Sequence, residues 1–151
     1  MTDPSRPPRF NHVAISVDPA LLDDDGRATF LEFFGEVFGW TEGDNTGESG
    51  NPLILYTGAF AQFLYLLPGD PYLTAPHLDH FGLEVDSLAE LEAIVGRAKA
   101  YQARDDRVSI IDIHDRTTSG PTHDYVLTSA YVGFRLPLMI ELQHLARVER
   151  A

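Results

Sequence analysis

The sequence contains no cysteine. That absence excludes disulfides, zinc fingers and thiol catalysis, and any metal must be held by His, Asp, Glu or neutral oxygen and nitrogen donors. Cations are scarce as well: 11 Lys and Arg stand against 23 Asp and Glu, Lys99 is the sole lysine, and the net charge is −12. A chain with no basic stripe has nothing with which to displace counterions from a phosphate backbone, so nucleic acid is not an expected partner. An acidic exterior serves solubility first, and it is also compatible with a cationic small ligand. Long apolar runs are missing too. No stretch approaches the roughly 18 uncharged apolar residues of a membrane helix, and the opening MTDPSRPPRF has no apolar core of signal-peptide length. The expectation is a cytoplasmic protein without a membrane partner.

What is present is a repeat. NHVAISVD at 11–18 returns as DHFGLEVD at 79–86, each copy with histidine second and aspartate last. Both alternate with the two-residue period of a half-buried strand: Val13, Ile15 and Val17 share one face, as do Phe81, Leu83 and Val85. His12 and His80 therefore occupy matching points on the opposite face, away from the apolar layer.

The segments that follow repeat in order as well. Arg27 to Trp40 places Phe30, Phe33, Phe34, Val37 and Phe38 at helical spacing behind the acidic LLDDDG. In the second half Ser87 and Glu90 form a capping-box pattern, and Leu88, Leu91, Ile94, Val95, Ala98 and Tyr101 make an apolar stripe to about residue 102. Each helix precedes three strand-like runs: 40–42, 53–57 and 61–67 in the first half, then 108–114, 123–131 and 136–145 in the second, with DRTTSGPT as a break after His114. The order is β-α-β-β-β twice, an α+β arrangement of two modules, about 9–68 and 77–145. PGDPYLTAP links them over 68–76, because three prolines favour an extended segment. At 151 residues the chain should bury about 68 to 70% of its unfolded surface, and two such short modules read as one pseudo-symmetric domain spanning 1–151.

A third donor is found in the last strand-like run, LPLMIELQHL. Glu141 lies opposite the apolar face formed by Ile140 and Leu142, in an otherwise uncharged segment, and a carboxylate there demands a partner. Arg135 could neutralise it, and a single strand histidine is ordinarily a hydrogen-bonded structural residue. The joint pattern favours a metal site: two neutral imidazoles and one carboxylate form a facial set that leaves coordination positions open for substrate and, with iron, for dioxygen. Fe(II) heads the candidate metals on ligand type, with Mn, Zn and Ni also compatible.

The repeated NHVAISV and DHFGLEV, the MIELQ segment and the doubled β-α-β-β-β order resemble the vicinal oxygen chelate superfamily over about residues 9–145. That group includes glyoxalase I, extradiol ring-cleaving dioxygenases, epimerases and bleomycin-resistance type binding proteins. The resemblance implies that paired modules curl into an open cup-shaped barrel and that His12, His80 and Glu141 hold a metal within it. It also implies a small-molecule substrate bound through adjacent oxygens, and a homodimer. Glyoxalase I adds a fourth ligand, commonly Glu, from the last strand of the first module. Here no acidic residue lies between Asn51 and Gly69, so only Gln62 or Tyr65 is available. Extradiol enzymes carry a His and a Tyr ahead of the Glu, and His123, Tyr131 and Glu141 have a comparable order, which makes His123 and Tyr131 candidate catalytic residues. Eight residues of straight strand span about 26 Å, so both reach one cavity only if the strand bends or breaks. His77 beside the linker, His114 before the break and His144 are weaker candidates. Tyr65, Phe63, Tyr125 and Tyr131 suggest a pocket for an aromatic substrate. Extradiol-type dioxygenase chemistry leads this reading. The alternatives are a glyoxalase-like isomerase or lyase, and a bleomycin-resistance-like protein that binds without catalysis.

Overall fold

The computed structural model describes residues 8–44 and 47–149. The N-terminal heptapeptide and Asn45 and Thr46 of the TEGDNTGESGN loop lie outside the described residues. The chain divides into two compact units between Leu73 and Thr74, inside the proline-bearing segment.

The first unit runs β1 (His12–Val17), a 3-10 turn (Pro19–Leu22), α1 (Asp24–Phe38), β2 (Thr41–Glu42), β3 (Leu53–Tyr56) and β4 (Phe63–Pro68). Its open sheet has the order β1-β4-β3-β2, with β1 parallel to β4 and the other pairs antiparallel. The second unit repeats this with β5 (His80–Glu84), α2 (Leu88–Gln102), β6 (Val108–Ser119), β7 (His123–Phe134) and β8 (Met139–Glu149), in the order β5-β8-β7-β6. Two four-stranded sheets and two helices give the expected α+β pair of βαβββ modules. Among the described residues no helix is long and apolar enough to cross a membrane.

Local chemistry sets the element ends. α1 starts three residues ahead of Arg27 because the Asp23 carboxylate accepts a hydrogen bond from the Gly26 amide at 2.8 Å. It stops before Trp40 because Gly39 takes a left-handed conformation, φ 73°. The Trp40 ring then folds back onto Phe34 at 5.0 Å and 8°. Phe30, Phe33, Phe34 and Val37 bury the inner face of α1, and Ile15, Val17, Leu53, Leu55, Leu64 and Leu66 supply the buried face of the sheet. Arg27 is buried as well, and donates to the Asn51 carbonyl at 2.8 Å and to Glu42 Oε1 at 3.2 Å.

In α2 the capping box forms: the Glu90 amide donates to Ser87 Oγ at 3.1 Å, and the Glu90 carboxylate accepts from the Asp86 amide at 3.0 Å. Leu91, Ile94, Val95, Ala98 and Tyr101 are buried, but Leu88, 47% exposed, does not join the stripe. The largest departure is at DRTTSGPT. Residues 115–119 continue β6 instead of forming a break, and the turn is confined to 120–122. β-branched Thr117 and Thr118 pair with Val126 and Tyr125, and that cross-strand match outweighs the turn signal of the preceding polar residues. His114 is accordingly inside a strand.

The α2–β6 connection carries a tight ion pair. Arg107 donates to both carboxylate oxygens of Asp105, at 2.8 and 2.6 Å, and these hydrogen bonds hold the Asp105 carboxyl down at about 2. A carboxyl depressed in the folded state stabilises the fold at pH values above its ordinary range, and that contribution disappears as pH falls from about 4 through about 2. In Arg107→Gln protein, NMR titration is expected to return Asp105 toward the usual carboxylate range and to shorten the acid limb of the stability curve. An unchanged titration would contradict this assignment.

Candidate metal and substrate site

The two copies of the repeat build the same local arrangement. His80 opens β5, is exposed, and places Nδ1 2.8 Å from the Leu78 carbonyl. A carbonyl only accepts, so Nδ1 carries the proton and Nε2 of the neutral ring is left as an acceptor. His12 opens β1 in the same manner: Nδ1 lies 2.7 Å from Asn11 Oδ1, and the ring stacks on Phe63 at 4.8 Å and 2°. An imidazole whose Nδ1–H is anchored by an oxygen presents Nε2 in a fixed direction, the arrangement usual for metal-binding histidines.

In the second unit the parallel register sets Gly82 against Glu141, two residues along from His80 against Met139. The absent side chain of Gly82 leaves Glu141 open toward His80. Glu141 is buried, 8% exposed, and its two oxygens have different neighbours. Ser129 Oγ and the Tyr131 hydroxyl each donate to Oε1 at 2.9 Å, while Oε2 lies 3.3 Å from His80 Nε2. One oxygen is therefore anchored and the other presented. In the neutral imidazole, Nε2 and Oε2 are both acceptors, and two acceptors at 3.3 Å repel unless a proton or a cation lies between them. Two donors, each about 2.0–2.2 Å from one ion and subtending 90–110°, would stand roughly 3.0–3.4 Å apart. The spacing and the donor types of His80 and Glu141 thus fit a shared divalent ion.

Tyr131 is opposite Glu141 in the antiparallel β7–β8 pair, and its ring meets His80 edge-on at 5.1 Å. Burial, followed by the hydrogen bond to Glu141, raises the phenol above its ordinary value, so it stays protonated as a donor. On the far side of Tyr131 the ring of His114 stacks at 6.0 Å and 12°. His114 reaches this face through an irregularity in β6: Ile111 pairs with Tyr131, but His114, not residue 113, pairs with Ser129. The additional residue is a β-bulge that turns His114 to the side of Ser129 and Tyr131. A row of polar groups crosses the sheet from β6 to β5: His114, Tyr131 with Ser129, Glu141, His80.

Of the residues singled out in the sequence, the second unit brings together His80, Glu141 and Tyr131. His12 belongs to the first unit. Among the described residues no three His, Asp or Glu side chains form a metal-ligating group. His123 is not brought to the cluster: β7 runs unbroken from His123 to Phe134, and His123 sits at its far end opposite Glu149, in contact with Thr122 and Arg147. His144 contacts the Val85 carbonyl, and His77 lines a cavity near the start of β8. Ser129 is the member that sequence reasoning passes over, since it carries no motif, and His114, ranked among the weaker candidates, is brought in by a bulge that alternation alone does not reveal.

The register also decides the first module's equivalent of Glu141. His12 faces Phe63 as His80 faces Met139, so Tyr65, paired with Ala14, takes the place, and Gln62 lies ahead of β4. A phenol stands where glyoxalase I carries a carboxylate.

No protein-family model and no curated sequence matches the chain. Solved structures do match. A genomically encoded fosfomycin resistance protein from Listeria monocytogenes superposes with a TM-score of 0.56 at 16% identity, over 90% of each chain. A glyoxalase/bleomycin resistance protein from Albidiferax ferrireducens T118 gives 0.56 at 14% identity, over 89% of this chain and 98% of that one. A mutant of the Listeria protein complexed with Mn(II) and 1S,2S-dihydroxypropylphosphonic acid gives 0.54 at 16% identity, over 89% of this chain and 87% of the other. The fold of this chain is that of these glyoxalase/bleomycin resistance and fosfomycin resistance proteins.

Proposed function

We propose that the chain is a metal-dependent enzyme of the vicinal oxygen chelate type, in which His80 and Glu141, joined by His12 of the first module, hold one divalent ion. The observation that carries this reading is the pair of facing acceptors, His80 Nε2 and Glu141 Oε2, each fixed from behind by an oxygen or hydroxyl partner. When bound, the ion would supply Lewis-acid polarisation of two neighbouring substrate oxygens and, as Fe(II), dioxygen chemistry. The fold neighbour complexed with Mn(II) and a dihydroxy compound supports a substrate with adjacent oxygens.

The residues of this chain divide the remaining work. Ser129 and Tyr131 orient the Glu141 carboxylate. The Tyr131 phenol commits its single proton to Oε1, and its oxygen keeps a lone pair that can accept a hydrogen bond from a substrate hydroxyl at this place. His114, stacked on the opposite side of Tyr131, fixes the ring and closes that side of the site. His123 stands eight residues along β7 and takes no part in this step. Catechol ring cleavage with Fe(II) is the leading reaction, since two imidazoles and one carboxylate leave positions for both substrate oxygens and dioxygen. A glyoxalase I reaction is disfavoured because Tyr65 replaces the carboxylate base of the first module.

Metal analysis of protein purified without chelators is expected to find about one divalent ion per chain. After anaerobic loading with Fe(II), oxygen uptake is expected with at least one member of a catechol panel. Bound iron with no uptake from any catechol would overturn ring cleavage, and protein that binds no divalent metal would overturn the metalloenzyme reading in favour of a metal-free binding protein.

A further inference from the structure

The second unit holds a cavity of about 340 Å³ that the metal reading does not use, within the roughly 300–1,000 Å³ usual for small-molecule pockets. Its place follows from the strand register. Ser109 pairs with Gly133, and a Cβ at Gly133 would lie 2.6 Å from Ser109 Oγ and 3.5 Å from Met139 Cγ, so these three lining residues form one row across the sheet. The next row is Ile111, Tyr131 and Glu141. Both rows belong to one face, because residues two apart in a strand point the same way. Met139 also pairs with His80. The cavity therefore adjoins the pair formed by His80 and Glu141, one row nearer the β7–β8 turn.

Gly133 has no conformational need to be glycine, since it is buried inside β7 and its φ is not positive. Glycine inside a strand weakens the strand and marks a place where another group comes close to the backbone. The walls are mainly apolar: Leu136, Pro137 and Leu138 of the β7–β8 turn, with Ala75 and Met139. The charges at the border are already engaged. Arg107 donates to both carboxylate oxygens of Asp105, lies over the Phe134 ring at 5.6 Å, and is acted on by Asp106 as well. Arg135 has partners of its own and acts on the same Asp105. An ionic group entering the cavity would have to be buried against charges that are already matched, which is costly. An apolar group gains about fourfold in affinity for each methylene it buries.

We propose that this cavity seats an uncharged apolar substituent of the substrate, alkyl or aryl. Its place on the substrate, beside the oxygens held at His80 and Glu141, rests on the metalloenzyme reading. The preference for an uncharged group does not, and it can be tested without the ion.

The chain has two methionines, so labelling with ¹³C-methyl methionine lets Met139 report on the cavity and Met1 serve as the reference. In metal-free protein, benzyl alcohol and 1-pentanol are expected to shift the Met139 methyl saturably and to leave Met1 in place, and the tighter of the two identifies the group as aryl or alkyl. Benzoate and benzylamine are expected to bind at least tenfold more weakly than benzyl alcohol. Leu136→Asp, at a half-buried turn position, is expected to weaken benzyl alcohol at least tenfold, and Gly133→Ala, which narrows the cavity, severalfold. His80→Ala is expected to keep the binding. In Mn(II)-loaded protein the ion is expected to speed the relaxation of the bound benzyl alcohol protons. A Met139 signal that does not move, a charged probe that binds as tightly as benzyl alcohol, affinity unchanged in both cavity variants, or its loss in His80→Ala would each overturn the uncharged-group preference. Bound Mn(II) with no effect on relaxation would overturn the assignment to the substrate. Protein that binds no Mn(II) would remove that assignment together with the metal reading, and the binding seen in metal-free protein would still stand.

Discussion

Glu141→Ala protein is expected to bind Mn(II) at least about a hundredfold more weakly than the native chain, as read by the free-ion signal in electron paramagnetic resonance. The estimate rests on the layout around the carboxylate. Substituting a partner that merely orients a ligand already costs about 10- to 100-fold in metal affinity, and Glu141 is the ligand itself in the proposed site. Tyr131→Phe, which removes one of the two donors on Oε1 and keeps the carboxylate, is expected to lose about tenfold. His80→Ala and His12→Ala are each expected to match Glu141→Ala. Nδ1 of each imidazole is held by an oxygen, Asn11 Oδ1 for His12 and the Leu78 carbonyl for His80, so in the proposed site the two substitutions remove matching groups. Undiminished binding in the His12→Ala, His80→Ala double variant would remove the proposed site altogether. Weakening in His80→Ala with none in His12→Ala would confine the site to the second module.

The second large effect concerns the fold. Phe34→Ala is expected to destabilise the protein by about 3–5 kcal/mol, because truncating a buried aromatic loses its transfer energy and leaves a cavity. Phe34 is 1% exposed and touches four rings: Phe33 at 5.1 Å, Trp40 at 5.0 Å, Phe38 at 5.9 Å and Phe30 at 6.1 Å. For a domain of this length that corresponds to a fall in melting temperature of roughly 6–20 °C. Phe60→Ala is the control, since Phe60 is fully exposed and its loss should leave the melting temperature nearly unchanged. A loss below about 1 kcal/mol for Phe34→Ala would show that the cluster repacks, and that its geometry is not what supports α1.

Most of the architecture is legible from the residues, and the reasons are specific. β1 and β5 expose one face and cover the other, wholly at Ile15 and Val17 and partly at Phe81 and Leu83, so alternation reports their phase, and the two histidines follow. The helices reveal themselves through their buried stripes, and Ser87 with Glu90 marks a start. Element ends are harder to read, since they depend on single events such as the left-handed Gly39 or the Asp23 cap. Threonines decide the length of β6 by what lies across from them, and no local signal reports a partner that is distant in sequence. At the site, Glu141 is legible because a lone carboxylate in an apolar strand needs an explanation. Ser129 is not, because a serine in a strand needs none, and its role appears only when β7 is laid beside β8 at the observed register.

The bulge in β6 gives one strand two reading frames. Up to Ile111, odd-numbered residues look toward Tyr131 and even-numbered ones toward the helix layer; from His114 onward the parity is reversed, so that His114 and Arg116 share the face that Ser109 and Ile111 occupy earlier. The outer half of the hairpin can thus vary in sequence by its own rule without disturbing the inner half, which is tied to α2. Loss of one residue at 112 or 113 would leave every remaining pairing in place and only straighten the strand. Such a change in length would be silent in register, and it would alter the tilt at which His114 meets Tyr131 without replacing a single residue of the site.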